Sequence, residues 1–253
     1  VSIGLPVPIK NELVVKINNP SGQPLSGEQL TLKQIEGIDI TETIKDWELK
    51  RGETEKRLIF PLKSMPKEKY KFSVSATTCS DLFPLRTMKL IDDFSSLNNE
   101  ILHSAWAIYS DGDTKVGSEQ KIEAVDGMVK ITYKFDEGWK FVRLEPKGER
   151  GKIEGKPNAL GVRIDSNDSY NSVHLRYADS KGQTFQVYGG RLKGKTSNYF
   201  EFALNGSNAI HWGGPNDGKI TYPLRVDSII IDGTRKACGP YSILVSSPVL
   251  IYE

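Results

Sequence analysis

Two cysteines and three histidines in 253 residues are too few for several kinds of chemistry. A structural zinc site of four cysteines is excluded, and His103, His174 and His211 have no ligand spacing such as HxxxH. Cys79 and Cys238 leave two readings open, one disulfide or two isolated thiols. An excess of charge of one sign is missing as well: 34 basic residues against 32 acidic ones leave +2, too balanced for binding a phosphate backbone, which argues against a nucleic-acid partner. The longest apolar stretches, such as Ser228 to Ile231 and Ile243 to Val245, are strand-length and far short of the ~20 residues of a membrane-spanning helix. There is no Gly-x-Ser-x-Gly elbow for a serine nucleophile. Nor is there a Glu-x-Asp-x-x-Glu arrangement of the kind that would serve glycoside hydrolysis, which needs two carboxylates flanking one bond. Asp111 and Asp113, in a Gly-bearing acidic loop, read as a turn. The chain opens at Val1 with neither a methionine nor a signal-like apolar run, the expectation for a piece of a longer multidomain chain.

What is present is a globular composition, 38% hydrophobic and 26% charged, patterned almost everywhere with period 2 and broken by turn residues every few positions. That pattern predicts an all-β protein of sandwiches or barrels. In the first part Glu12 to Asn18, Gln29 to Ile35, Arg57 to Leu62 and Tyr70 to Ala76 read as strands, separated by turns such as Asn19-Pro20-Ser21-Gly22. Residues 1–85 are expected to form a small sandwich that resembles immunoglobulin-like domains in strand pattern alone. Alternation stops in the Pro-containing connector between Thr77 and Lys89.

Residues 89–253 form the second expected domain. Strands Lys121 to Val125 and Met128 to Phe135 flank Asp126-Gly127, a strong hairpin signal. Further strands fall at Trp139 to Glu145, Ala159 to Asp165, Ser172 to Asp179, Gln183 to Gly189, Asn198 to Leu204, Leu224 to Ile231, Tyr241 to Val245 and Val249 to Tyr252. So many short strands suit a jelly-roll sandwich.

The pair around Ser180-Lys181-Gly182 is the most informative. A type I turn with Gly182 left-handed sets 179 opposite 183. His174 then faces Tyr188 and Arg176 faces Gln186, while Val173, Leu175, Tyr177, Phe185 and Val187 turn to the core. The first four place donors, acceptors and an aromatic ring together. Arg163 with Asp165, and Tyr199 with Glu201, are expected to extend the same surface. Planar polar groups match pairs of hydroxyls, and rings cover the apolar face of a pyranose. An ordinary solvent-facing side of a sheet is the plain alternative.

The opening Leu90-Ile91-Asp92-Asp93-Phe94, Trp106, the strand Ala159-Leu160-Gly161-Val162 and the stretch His211-Trp212-Gly213-Gly214-Pro215-Asn216-Asp217-Gly218 resemble the galactose-binding-like β-sandwich modules appended to bacterial polysaccharide-degrading enzymes. The resemblance covers roughly Lys89 to Glu253. It implies noncatalytic binding of polysaccharide or oligosaccharide, an extracellular or cell-surface setting, and a structural calcium ion, with Asp93 the ligand to expect. The His211 to Gly218 stretch is expected to be a loop, with Trp212 either a stacking platform or an edge plug. Trp47, Trp106 and Trp139 are expected in the core.

The reading is therefore an immunoglobulin-like spacer followed by a jelly-roll module that tethers a parent enzyme to its substrate through Arg163, His174, Arg176, Gln186, Tyr188, Tyr199 and Trp212. Two rivals remain. One is a uronate lyase, which would use the same His, Arg, Gln and Tyr but whose Arg-Ser/Thr-Glu-Leu/Val-Arg and Gln-Ile/Val-His strand motifs are absent. The other is a structural or adhesive domain of a cell surface.

Overall fold

Alternation of polar and apolar side chains puts one face of each segment against a core and the other in water, which a pleated strand satisfies at every second residue. The computed structural model describes residues 2–3, 7–9, 12–19, 21–36, 40, 43–63, 70–76, 86–112, 118–166, 169–195 and 197–252. These divide into two compact units, Val1–Leu90 with Ile251–Glu253, and Ile91–Leu250.

The first unit contains β1 (Ser2–Ile3), β2 (Val7–Ile9), β3 (Glu12–Asn18), β4 (Leu25–Glu36), β5 (Ile44–Leu49), β6 (Glu55–Pro61), β7 (Tyr70–Ala76) and β8 (Arg86–Leu90). One sheet is centred on β3, which pairs with β1, β2 and β6; another runs β8-β7-β4-β5. Leu13, Val15, Ile17, Leu30, Leu32, Trp47, Leu49, Leu58 and Phe60 are buried in this unit. Strand β5 had no clear sequence signal, and it carries Trp47 into the core as expected.

The second unit begins with a 3-10 turn, Phe94–Ser96, and one short helix, α1 (Asn99–Ala105). Asn98 caps α1 by accepting from Ile101 N–H at 2.9 Å, as a short amide side chain does at this position. Strands follow: β9 (Trp106–Gly112), β10 (Ser118–Val125), β11 (Met128–Phe135), β12 (Lys140–Pro146), β13 (Lys152–Ile153), β14 (Ala159–Asp165), β15 (Ser172–Ala178), β16 (Thr184–Arg191), β17 (Ser197–Ala203), β18 (Ala209–Trp212), β19 (Leu224–Asp232), β20 (Cys238–Val245) and β21 (Val249–Tyr252). One sheet runs β10-β11-β20-β14 with β17 on β14; the other runs β18-β16-β15-β19-β12-β9, with β13 against β19.

The fold is a β-sandwich whose inner faces supply one core. Val129, Ile131, Tyr133, Phe135, Leu160, Val162, Ile164, Phe200 and Phe202 come from the first of these sheets, and Val173, Leu175, Tyr177, Phe185, Ile229 and Ile231 from the second, all buried. The Asp126-Gly127 hairpin is present, with positive φ at both residues and Val125 paired to Met128. Trp106 is buried and its Nε1 donates to Asp92 Oδ2 at 2.7 Å. Cys238 opens β20 half-buried, with no disulfide partner among the described residues; Cys79, its proposed disulfide partner, lies outside them.

Candidate functional site

The turn chemistry of Ser180-Lys181-Gly182 fixes the centre of the site. Gly182 has φ +76°, its N–H donates to Asp179 O at 3.1 Å, and Asp179 N–H donates to Gln183 O at 2.9 Å. From that closure β15 and β16 pair as Tyr177 with Phe185, Arg176 with Gln186, Leu175 with Val187 and His174 with Tyr188. The register shifts beyond His174, where Gly189 is the additional residue. A Cβ there would come within 2.4 Å of the Phe202 ring, so a bulge with no side chain lets the opposite sheet pack close.

A second bulge shapes the neighbouring strand. β19 pairs Ser228 with Arg176 and Val226 with Tyr177, which leaves Asp227 as the inserted residue and brings its Oδ1 4.0 Å from Arg176 Nε. On the far side β12 pairs Arg143 with Ile230 and Phe141 with Asp232, and β9 sets Tyr109 beside Arg143. One row of outward residues therefore crosses the sheet as Tyr188, His174, Ile230, Arg143 and Tyr109.

This outer face carries a groove of about 340 Å³, lined by Trp139, Phe141, Arg176, Gln186, Ile210, Trp212, Ile230 and Asp232. Of the nine exposed large hydrophobic side chains among the described residues, three line it, Trp139, Ile210 and Trp212, and two more, Tyr188 and Tyr109, end the outward row that crosses it at Ile230. Such clustering marks an interaction surface, because scattered apolar residues are the ordinary condition of a protein exterior. Arg176 ties the floor together. Its Nη2 donates to Gln186 Oε1 at 2.9 Å, and its guanidinium lies 5.2 Å from the Trp212 ring centroid and 5.7 Å from that of Phe141. The stack thus links three separate strands through cation–π contacts.

The charges of the floor are shifted by burial. Burial, with the positive charges of Arg176 and Arg191, holds the His174 imidazole below its ordinary pKa and so neutral at pH 7. Burial raises the Asp232 carboxyl, against the opposing pull of Lys140 and Arg191. It also raises Glu145, whose Oε1 lies 2.8 Å from Arg143 Nη1.

The structure brings together His174, Arg176, Gln186, Tyr188 and Trp212, but not Arg163 or Tyr199. Those two pair with each other across β14 and β17, in the opposite sheet. Arg163 is held there by Asp165 at 2.6 Å, so with Asp165, Tyr199 and Glu201 it belongs to the other outer surface. Trp139, expected in the core, is 52% exposed at the rim of the groove. It precedes β12 and packs edge-on against Phe141 at 5.3 Å. His211 and Trp212, expected in a loop, end strand β18, with Trp212 opposite Thr184 and His211 opposite Phe185. The loop begins at Gly213. Phe141, Ile230 and Asp232 join the site only because β19 lies between β15 and β12, an adjacency with no local sequence signal.

Asp93, the calcium ligand the resemblance implies, caps the 3-10 turn: its Oδ1 accepts from Ser95 N–H at 3.0 Å and Ser95 Oγ–H at 2.6 Å. Asp92 is held by Trp106 and by Arg150 at 2.9 Å. Among the described residues no three acidic, histidine or cysteine side chains converge as a metal site.

No family model matches the chain, and no curated protein matches it. Among solved structures it is similar to a family 11 carbohydrate-binding module of a cellulosomal cellulase of Clostridium thermocellum, at 17% identity and a TM-score of 0.44, over 66% of this chain and 95% of that one. A Clostridium thermocellum family 11 module in complex with a β-1,3-1,4-mixed-linked tetrasaccharide gives 17% identity and a TM-score of 0.43, over 65% and 95%. A family 29 carbohydrate-binding module from Piromyces equi gives 10% identity and 0.31, over 66% and 91%.

Proposed function

We propose that the unit Ile91–Leu250 is a noncatalytic polysaccharide-binding module. The observation that carries this reading is the groove itself: exposed Trp139 and Trp212 line it with the strand-borne polar groups Arg176, Gln186 and Asp232, and exposed Tyr188 stands on the same face opposite His174. Aromatic rings give a sugar's C–H face a flat apolar partner, and groups held on strands meet its hydroxyls with little ordering cost. The first unit serves as an immunoglobulin-like spacer. In a longer extracellular chain the module raises the effective concentration of substrate for a parent enzyme by tethering.

The lyase alternative asks Arg and Gln to neutralise a substrate carboxylate. Arg176 and Gln186 are hydrogen-bonded to each other, and two rings cover the guanidinium, which favours a structural floor over an open anion site. Affinity electrophoresis of the whole chain through gels of neutral, uronic and sulfated polysaccharides tests the proposal. Selective retardation without formation of ultraviolet-absorbing product supports it. No retardation in any gel sinks it and favours a structural or adhesive role.

A further inference from the structure

Asp232, which lines the groove, and His174, paired with the groove residue Ile230, hold two polar atoms that the rest of the protein leaves unsatisfied. His174 Nε2 and Asp232 Oδ1 are both buried and make no hydrogen bond. Buried polar groups are nearly always bonded, so an unbonded pair at one spot calls for a reason. The other carboxylate oxygen, Asp232 Oδ2, lies 3.9 Å from His174 Nε2, beyond hydrogen-bonding reach. His174 and Asp232 sit on adjacent strands, two register positions apart, since His174 faces Ile230 and Ser172 faces Asp232. They are diagonal neighbours, the geometry in which long side chains converge without touching.

The gap has a size that suits one further atom. An oxygen at about 2.8 Å from each of two partners bridges any separation up to about 5.6 Å, so at 3.9 Å one oxygen bonds both Nε2 and Oδ2. The bridging group must donate to the carboxylate and accept from the neutral imidazole N–H. A hydroxyl does both; a carboxylate cannot donate, and an ammonium cannot accept. Asp232 lines the groove beside Ile230 and Phe141, so such a group reaches it from the ligand side. The Tyr188 ring, 5.4 Å from that of His174 and 55% exposed, is the nearby cover. An exposed ring changes rotamer readily and admits a ligand.

We infer that His174 Nε2 and the Asp232 carboxylate form a socket for a single sugar hydroxyl, with Tyr188 closing over it. The inference rests on the polysaccharide-binding reading of the groove. It names a recognition pair that packing alone does not require: Asp232 is a half-buried carboxylate whose Oδ1 no protein group bonds, although Lys140 and Arg191 partly offset its charge.

The test uses the full chain with Asp232→Asn, His174→Ala and the double variant. The probes are a neutral β-glucan, a galactomannan and a polygalacturonate in affinity gels, with titration calorimetry on whichever retards the wild type. Thermal unfolding of each variant is measured alongside. Asp232→Asn is expected to weaken binding at least tenfold while its melting temperature stays equal or rises. The double variant is expected to bind no worse than the weaker single one, because both changes empty the same socket. Full affinity in both single variants overturns the socket and leaves glycan binding standing. A lowered melting temperature that accounts for the binding loss, or additive losses in the double variant, also overturns it. A wild type that binds none of the three glycans overturns the socket together with the reading beneath it.

Discussion

His174 stands opposite Tyr188 with their rings 5.4 Å apart and their planes at 60°, at the register that a three-residue loop closing on Gly182 imposes. The relationship depends on a backbone conformation, and it fixes which residues of two strands share the groove. A Cβ at Gly182 meets nothing within 4 Å, so replacing it costs only the left-handed φ, about 1 kcal/mol. Gly182→Ala is expected to lower the unfolding free energy by that amount, seen as a lower urea midpoint at unchanged m-value, with unchanged glycan retardation. Gly214→Ala is expected to cost more: a Cβ there would lie 2.7 Å from both Gln183 N and Lys181 O.

Gln183 is fully buried and works as a latch. Its amide donates to Asp217 Oδ1 at 3.3 Å and to Lys219 O at 3.1 Å, and its Oε1 accepts from Gly218 N–H at 3.0 Å. Gln183→Leu strands those loop groups and is expected to cost about 2 kcal/mol in chemical denaturation. Because the loop continues directly from Trp212, affinity for a retarding glycan is expected to fall in the same variant.

Arg176 sits between two rings and is bonded to Gln186, a role that a planar guanidinium fills and an ammonium does not. Arg176→Lys is therefore expected to weaken glycan binding nearly as much as Arg176→Ala, by tenfold or more, measured by calorimetry. Recovery of full affinity in the lysine variant would show that charge alone matters at this position.

Stability at moderately acid pH is expected to depend on His174. Its folded pKa is lowered, so below the unfolded value of about 6.5 the unfolded chain binds the proton more readily and stability falls as pH drops. Asp232 has the opposite sign: with its folded pKa raised, the cost of holding the charge is full at neutral pH and is relieved as pH falls through that raised value. Melting temperatures of His174→Gln should decline less than the wild type between pH 7 and 5. Those of Asp232→Asn should exceed the wild type at pH 7.

Tyr133 and Tyr177 are pushed up to about 12, in both cases chiefly by burial. Above pH 10 the unfolded chain loses these protons and the folded one keeps them, so stability falls as pH rises from 10 towards 12. Tyrosinate absorbance should show two phenols that titrate late, together with unfolding. Replacing Tyr133 by Phe should remove part of that alkaline loss.

Sequence reasoning reached those parts of the site that depend on neighbours in the chain. The β15–β16 register, the Asp126-Gly127 hairpin and the inward set Val129, Ile131, Tyr133 and Phe135 all follow from turn conformation and period 2, which act over a few residues. Arg163 and Tyr199 show the limit of such reasoning. Both sit on well-identified strands with the right alternation, yet β14 and β17 belong to the opposite sheet.

What the sequence by itself determined, then, is that this chain forms short amphipathic strands, where several of them turn, and that His174, Arg176, Gln186 and Tyr188 share a face. Tertiary structure alone decided that β19 and β12 lie beside that face, which brings Ile230, Asp232, Phe141 and Trp139 to the groove and takes Arg163 and Tyr199 away. The physical reason is one of range. A turn's dihedral angles are set by the residues within it, whereas the order of strands in a sheet is chosen by burying the apolar faces of segments far apart in the chain, and alternation alone does not say which partner each face will meet.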